Sequence, residues 1–479
     1  MTEHELSLID KRLSEMTAED AERVRTVLCH AKRVVDIISL IPGSCDEYLS
    51  DKKGFIEKYN IRLTEEDIDF LIAPADPEEK LAIISDPKRL SEMPESFFRL
   101  RQFTGNKLLF RNRMIDELCV PANEKMKKWR ARQIKRCNGV LGGINESFVH
   151  TIATYELTSG CSVGCSFCGL DAGSLRKIFR YTPDNRELFR GVLKVCHRVL
   201  GAAAGRGMMY FATEPLDNPD YEQFESDFYA EFNNVPQITT AVPDRDIERT
   251  RHFIHGIMNG RGFIHRFTIR SEEMARKVLE CFSPEELLMV ELLPQFPEAP
   301  AFVPYVKAGR EAKERHTPIA DNEPGTICCV TGFCINFPDK RFKLICPERG
   351  SKQFPKGIYE SGWIDFSNPD DFETKLLEYI DNELELDIPK DKPLSLYNYM
   401  SIGEYKGKSA IVSRYGAVLP ISQPYMTRIV QLLQEGQMTR RQIVDRITEE
   451  GLAAPENAFW YLNRLWDNGC IVEKMFEAF

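Results

Sequence analysis

The chain has 479 residues, of which 43% are apolar and 28% are charged, and it contains 14 cysteines. This composition excludes a disordered chain, a fibre and a small disulfide scaffold, and the net charge of −10 argues against bulk attraction to nucleic acid or to an anionic membrane. We expect a cytoplasmic protein, without a signal peptide or a membrane span, whose cysteines stay reduced.

The first predicted region, residues 1–148, is helical. Apolar residues recur at helical spacing within residues 18–41, and Thr64 with Asp67 gives the pattern of a capped helix start. The stretch from Asn123 to Cys137 is strongly basic in an acidic chain. We interpret this stretch as the solvated face of a helix, with a substrate-facing role as the alternative.

The second predicted region, residues 149–390, begins with short β-branched or aromatic runs that alternate with amphipathic helices. Strands that are each followed by a helix predict a parallel sheet with right-handed crossovers. Because the glycine signature of a nucleotide-binding fold is absent from the sequence, we predict an α/β fold built as a partial (β/α)6 TIM-type barrel. In such barrels the chemistry collects at the carboxyl ends of the strands.

Two further features follow the predicted strands. The segment 294–325 is long and rich in proline, which is typical of a lid or binding loop, and we expect it to form a wall of the substrate groove. A β-hairpin is predicted next, with a two-residue turn at Pro338-Asp339 that places Phe337 opposite Lys340. One face of this hairpin is apolar and includes Cys346, and we expect that face to be buried in the interior.

The third predicted region, residues 391–479, contains short strands and three helices, which is the layout of a winged-helix-like domain. A winged helix suggests DNA binding, but the basic residues in this region are matched by acidic ones. We therefore expect a peptide-recognition module and no binding of nucleic acid. The predicted domains are 1–148, 149–390 and 391–479.

The most specific motif is the run Cys161-Ser-Val-Gly-Cys165-Ser-Phe-Cys168, placed directly after the first predicted strand. Three thiolates on one short loop can hold three irons of a four-iron cluster, which leaves the fourth iron open to a small chelating molecule. The alternative is a zinc knuckle. Zinc requires four ligands, and the nearest further candidates, Cys196 and His197, lie in a predicted helix.

This motif, on the loop after the first strand of a βα barrel, resembles that of the radical S-adenosylmethionine (SAM) enzyme superfamily. Phe167 matches the aromatic residue that is common before the third cysteine. The resemblance implies a [4Fe–4S] cluster whose open iron binds the amino and carboxylate groups of SAM. It also implies an external one-electron reductant, because an electron from the cluster cleaves SAM to methionine and a 5′-deoxyadenosyl radical that abstracts a hydrogen atom from the substrate.

The resemblance extends to residues that would contact SAM. The segment from Ala212 to Pro215 stands where the superfamily has its GGEP-like segment, although Ala and Thr replace both glycines. Residues at the ends of the next two predicted strands match further contact positions, with ordinary strand-end capping as the alternative for each Thr or Ser. The implied cofactor-binding residues are Phe167, Ala212, Thr213, Glu214, Pro215, Thr239, Thr240, Arg270 and Ser271.

The overall layout is similar to that of the proteusin-type radical SAM peptide epimerases, which convert L-residues to D-residues in ribosomally made precursor peptides. The resemblance implies a precursor peptide, with its leader and core, as the partner. An epimerase must return a hydrogen atom to the face opposite the one that lost it, and a cysteine thiol can supply that atom. The expected donor is Cys346, with Cys329 and Cys334 as the second and third choices.

Several alternatives stay open at this level. One is a radical SAM enzyme that crosslinks peptides through thioether or carbon–carbon bonds. A more distant one is an iron–sulfur sensor with a DNA-binding winged helix. An auxiliary cluster could use Cys328, Cys329, Cys334 and Cys346, which would remove the hydrogen donor. The remaining cysteines are expected to be structural: Cys29, Cys45, Cys119, Cys137, Cys196, Cys281 and Cys470.

Overall fold

The computed structural model describes residues 3–16, 21–72, 82–83, 85–258, 262, 264–314 and 326–477. The protein is a mixed α/β chain that contains parallel strands. Before the first strand the elements are α1 Glu3–Ser14, α2 Ala21–Leu40, α3 Ser44–Ser50, α4 Lys52–Lys58, α5 Glu65–Ile72, α6 Pro87–Ser91, α7 Glu95–Arg113, the π-helical turn Met114–Leu118, α8 Glu124–Leu141 and the 3-10 turn Gly142–Ser147.

The middle of the chain alternates strands and helices, as predicted. Its elements are β1 Thr151–Glu156, β2 Thr158–Ser159, β3 Lys177–Ile178, α9 Pro183–Leu200, the 3-10 turns Ala202–Arg206 and Pro215–Asp217, α10 Tyr221–Phe232, β4 Thr239–Thr240, α11 Ile247–Met258, β5 His265–Ile269, α12 Glu272–Cys281, β6 Val290–Pro294 and α13 Gly309–Glu314.

The last third begins with a hairpin and ends in helices. Its elements are β7 Val330–Asn336, β8 Arg341–Pro347, β9 Ile358–Glu360, β10 Ile364–Asp365, α14 Pro369–Glu383, β11 Ser401–Tyr405, β12 Lys408–Ser413, β13 Gly416–Pro420, α15 Pro424–Glu435, α16 Arg440–Glu449, α17 Pro455–Asp467 and the 3-10 turn Lys474–Phe476.

The chain divides into two compact units. The first comprises Met1–Arg113, Glu214–Leu216 and Gln237–Tyr305, and it contains the parallel sheet β4-β5-β6. Its core packs apolar residues of α2 and α12, such as Val34 and Val278, with residues of β5 and β6. The second comprises Met114–Thr213, Asp217–Pro236 and Val306–Phe479. The predicted domain boundaries and the closure of a barrel stay predictions.

A five-stranded sheet forms the centre of the second unit. Its order is β1-β7-β8-β10, with β9 also paired to β8, and β1 runs parallel to β7. The other edge of β1 makes only an isolated parallel bridge, from Thr154 to Met208, where a full strand was predicted. No helix among the described residues is long and apolar enough to cross a membrane.

The hairpin of β7 and β8 has the predicted register, and its apolar face is buried as predicted. Phe333 lies opposite Leu344 and Asn336 opposite Arg341, as a two-residue turn requires. Both faces are buried along β7. The apolar face packs on α14, where the rings of Phe342 and Phe372 have centroids 5.2 Å apart. The opposite face, with Cys334, lines a cavity.

The basic helix α8 also differs from its interpretation as a solvated face. Its lysines at 127, 128 and 135 are exposed, as expected, but Arg130, Arg132 and Arg136 are buried. Arg130 Nε donates to the carbonyl of His150 at 2.8 Å, and Arg132 Nη2 lies 2.9 Å from a carboxylate oxygen of Glu473. The arginines therefore satisfy buried carbonyls and carboxylates within the second unit.

The C-terminal segment of the second unit contains a three-stranded antiparallel sheet, β11-β12-β13, followed by α15, α16 and α17. The strands β12 and β13 and the three helices were predicted, whereas β11 was missed. Thr439 caps α16 in a capping box with Gln442. Each of these helices has a buried apolar side, with Leu433 in α15, Ile443 in α16 and Leu462 in α17.

Candidate functional site

The cysteine loop follows β1 and β2, and glycines allow its shape. Gly160 has φ +90°, and a Cβ there would lie 2.1 Å from the carbonyl oxygen of Ser174, so a larger residue would clash with backbone. The amide of Cys161 donates to the carbonyl of Gly173 at 2.9 Å, and the amide of Cys168 donates to the carbonyl of Cys165 at 3.2 Å. The loop is therefore closed on itself by backbone hydrogen bonds.

The three loop cysteines differ from most of the other cysteines in their exposure. Cys161, Cys165 and Cys168 are partly exposed, whereas the helical Cys137 and Cys196 are buried. Partly exposed thiols can reach an inorganic cluster. Phe167, the aromatic residue of the motif, is partly buried beside them.

The donor set fits a four-iron cluster better than a zinc ion. Among the described residues, no three His, Cys, Asp or Glu side chains converge as the ligands of one metal ion do. A zinc knuckle needs four ligands around one ion, whereas the cysteines of a four-iron cluster each bind a different iron. Three thiols on a closed loop suit a four-iron cluster, in which each cysteine binds a different iron.

An acidic residue that the sequence analysis missed also holds this loop. Asp217 accepts hydrogen bonds from the amide and the hydroxyl of Ser162, at 2.8 and 2.5 Å. Ser162 directly follows the first cysteine, so Asp217 fixes the start of the motif. Nothing in the local sequence around Asp217 indicates this contact, since the two residues are 55 positions apart.

Glu156, at the carboxyl end of β1, is the second residue that was missed. Its Oε1 accepts from the amide of Ala212 at 2.9 Å, and its Oε2 accepts from the side chain of Asn336 at 2.9 Å. The side chain is buried, and this burial raises the pKa of the carboxyl. A carboxylate at a strand end of a βα fold was a signal that sequence analysis could have used.

The GGEP-like segment continues into the first unit. Glu214 is buried, and its carboxylate accepts from the amides of Leu216 and Ala241 at 3.1 and 2.9 Å. Arg270, another predicted SAM contact, donates from Nε to the carbonyl of Ala241 at 2.7 Å. Glu214 and Arg270 therefore meet at one turn after β4.

The predicted hydroxyl contacts make local hydrogen bonds. Thr240 Oγ1 accepts from the amide of Val242 at 3.1 Å, and Ser271 Oγ caps α12 by accepting from the amide of Met274 at 3.2 Å. These are the strand-end and helix-cap roles named as the alternative. Their roles toward SAM stay predictions, as do those of Thr239, Thr213 and Pro215.

A cavity of about 160 Å³ adjoins the cysteine loop in the second unit. Glu156, Gly160, Ala212 and Cys334 line it, together with several charged side chains. The charged residues are Asp171, Arg176, Arg341, Lys343, Lys356 and Glu360. The cavity therefore brings a thiol close to both the cysteine loop and the GGEP-like segment.

Of the three candidate donors, Cys334 is the one that lines this cavity. It is 1% exposed, burial raises the pKa of its thiol, and the thiol hydrogen-bonds Glu156. Cys329 is partly buried, with its Sγ 3.9 Å from Met208 Sδ. Both the burial and the raised pKa keep the Cys334 thiol protonated.

Cys346 does not lie where the sequence analysis expected. Its Sγ is 3.6 Å from Nη2 of Arg136 in α8, and it is completely buried. Cys346 lies on the apolar face of the hairpin, and this face packs on helices. The opposite face of the hairpin, which carries Cys334, lines the cavity. The auxiliary cluster of Cys328, Cys329, Cys334 and Cys346 stays an alternative.

Comparisons with known proteins add little to this site. No family model matches the chain. A curated protein of Sinorhizobium fredii, described only as the uncharacterized protein y4wI, is 39% identical over 279 residues, which are 57% of this chain and 54% of that protein. The chain thus spans about half the length of this relative.

A solved structure, the crystal structure of BtrN in complex with AdoMet and 2-DOIA, matches 30% of this chain and 57% of its own. The two chains are 16% identical, and the TM-score is 0.24. A TM-score this low does not establish a shared fold. The function of the chain has to be argued from its own residues.

Proposed function

We propose that the chain is a radical SAM enzyme that epimerises L-residues to D-residues in a ribosomally synthesised precursor peptide. The observation that carries the proposal is the place of Cys334, whose side chain lines the same cavity as Gly160 and Ala212. Gly160 begins the cysteine loop and Ala212 begins the GGEP-like segment. A thiol at that position suits an epimerase, which has to return a hydrogen atom to its substrate.

When bound, a [4Fe–4S] cluster and SAM would supply a 5′-deoxyadenosyl radical that takes the Cα hydrogen of an L-residue. Cys161, Cys165 and Cys168 would hold the cluster. Glu214 and Arg270, with Ala212 and Thr213, are the residues proposed to bind SAM.

The chain's own chemical step is the return of the hydrogen atom by Cys334. Its S–H bond breaks homolytically, the hydrogen forms the new Cα–H bond on the opposite face, and a thiyl radical is left on the sulfur. One electron from an external reductant and one proton from solvent restore the thiol. A protonated thiol is required at the start, and the burial of Cys334 favours that form.

The segment 391–479 is proposed to bind the leader of the precursor peptide. Its charge balance supports a peptide over DNA, since acidic and basic side chains alternate on its helices and pair, as Arg428 does with Glu450 at 3.0 Å.

The test is anaerobic reconstitution with iron and sulfide, followed by reduction with dithionite in the presence of SAM. Co-expression with each short peptide encoded beside the gene would supply the substrate. We expect 5′-deoxyadenosine and D-residues in a peptide of unchanged mass. A product lighter by two hydrogens would support a crosslinking enzyme instead.

A further inference from the structure

One arginine contacts the backbone of the cysteine loop at three places. The amide of Arg310 donates to the carbonyl of Cys168 at 2.9 Å, and its Nη1 donates to the carbonyl of Cys165 at 2.8 Å. Its Nη2 donates to the carbonyl of Ala172. The carboxylate of Asp171 lies 3.7 Å from Nε, and the side chain of Arg310 is only 19% exposed. Arg310 thus spans the loop from its second cysteine to its end.

The residue before it explains how the arginine comes so close. Gly309 has φ +60°, and a Cβ at this position would lie 2.2 Å from the carbonyl oxygen of Gly169. Its amide donates to the carbonyl of Pro355 at 2.7 Å, which holds α13 from the other side. Any larger residue at 309 would push α13 away from the loop.

We infer that Arg310 is a positioning residue for the iron–sulfur cluster, which fixes the cysteine loop in the shape that retains the irons. The planar guanidinium suits this role, because it donates along several fixed directions at once and stays charged. The inference rests on the proposed function only in taking Cys161, Cys165 and Cys168 as cluster ligands.

This role differs from the one expected for the segment 294–325. The sequence predicted a substrate-facing wall, and residues 315–325 lie outside the described residues. The described helix α13 instead contacts the cysteine loop. Nothing in the sequence indicates the forked hydrogen bonds of the Arg310 guanidinium, because its partners are main-chain carbonyls at least 138 positions away.

The test compares three variants of the full chain, each reconstituted anaerobically with iron and sulfide. Arg310→Gln removes the charge and the fork. Arg310→Lys keeps the charge but loses the fork. Lys313→Gln is the matched control, because Lys313 is on the same helix, is 66% exposed and pairs with the side chain of Asp171.

The readout is the rate at which a ferrous chelator removes iron, followed together with the cluster absorption. We expect Arg310→Gln to lose iron about tenfold faster or more, since hydrogen bonds to charged groups are among the stronger ones in proteins. Arg310→Lys should lie between Gln and wild type, and Lys313→Gln should match wild type. Circular dichroism checks that each variant is folded. If Arg310→Gln is not folded, the comparison is made between Arg310→Lys and wild type.

Iron retention at the wild-type rate in both Arg310 variants would overturn the inference. Faster loss in Lys313→Gln equal to that in Arg310→Gln would do the same, because general charge loss would then be the cause. A wild-type chain that binds a four-iron cluster but never cleaves SAM would contradict the proposed function and leave the inference on Arg310 standing.

Discussion

Cys334 lies directly opposite Lys343 in the antiparallel pair of β7 and β8. Both side chains line the cavity beside the cysteine loop, and Lys343 forms an ion pair there with Glu360. The ammonium is also 4.3 Å from the ring centroid of Trp363. The thiol thus lies beside an ion pair and an aromatic ring.

The first prediction concerns Cys334→Ala. We expect SAM cleavage to continue and epimerisation to stop, because the radical can still form but no S–H bond is available for return. The measurement is 5′-deoxyadenosine together with D-residue content in the same reaction. Cys346→Ala is the matched control, since Cys346 is equally buried but contacts Arg136 instead of the cavity. Loss of epimerisation in Cys346→Ala alone would restore the donor expected from sequence.

The second prediction concerns the loop cysteines. Replacing Cys161, Cys165 or Cys168 by Ala should abolish the cluster absorption and SAM cleavage, because each thiol holds one iron. Cys45→Ala is the control, since Cys45 is also partly exposed but lies in α3. Iron content and absorption after reconstitution give the result. Full iron loading in all three loop variants would exclude the cluster site.

The third prediction concerns the loss of stability in acid that His150 causes. Its ring is buried between the hydroxyl of Thr331, 2.7 Å away, and Asn145 Oδ1, 3.0 Å away, and burial lowers its pKa to about 3. The unfolded chain takes up a proton at its ordinary pKa, so the stabilising contribution is full above about pH 6.5 and is lost as the pH falls toward 3.

The variant that isolates this effect is His150→Asn, because residue 150 has φ +49° and Asn tolerates that conformation. Urea unfolding between pH 7 and pH 4 should show a pH slope smaller by up to about 1.4 kcal/mol per pH unit than in wild type. Equal slopes in the two proteins would show that His150 does not stay neutral in the folded state.

The fourth prediction concerns the buried ion pair of Arg136 and Glu348. The guanidinium is completely buried, with Phe476 stacked 4.4 Å from it. Arg136→Met leaves Glu348 buried without its partner and should lower the free energy of unfolding by about 3–5 kcal/mol. Arg441→Met, at a position 88% exposed, should change it by less than about 0.5 kcal/mol. Similar melting temperatures for both variants would contradict the buried role.

Features that depend on residues close in sequence were predicted correctly. The capped start at Thr64 and the register of the hairpin depend on residues close in sequence, and the structure agrees with both. The amide of Asp67 indeed donates to Thr64 Oγ1 at 3.1 Å. Such features were within reach of the sequence alone.

What the sequence did not predict depends on distant partners. The polar face of β7 is buried as well as the apolar one, and Asn336 on that face is satisfied because Glu156, 180 positions away, accepts its hydrogen bond. The same holds for Arg310 and Asp217, whose contacts are to residues far along the chain. A pattern of polar and apolar residues cannot identify such partners.

Hydrogen return by Cys334 is tested by the reaction of the wild-type enzyme with its peptide in deuterated water. Because the Cys334 thiol exchanges with solvent, we expect one deuterium at Cα of each D-residue and none at unmodified residues. Peptide that carries D-residues without deuterium, or SAM cleavage with no D-residues at all, would contradict it.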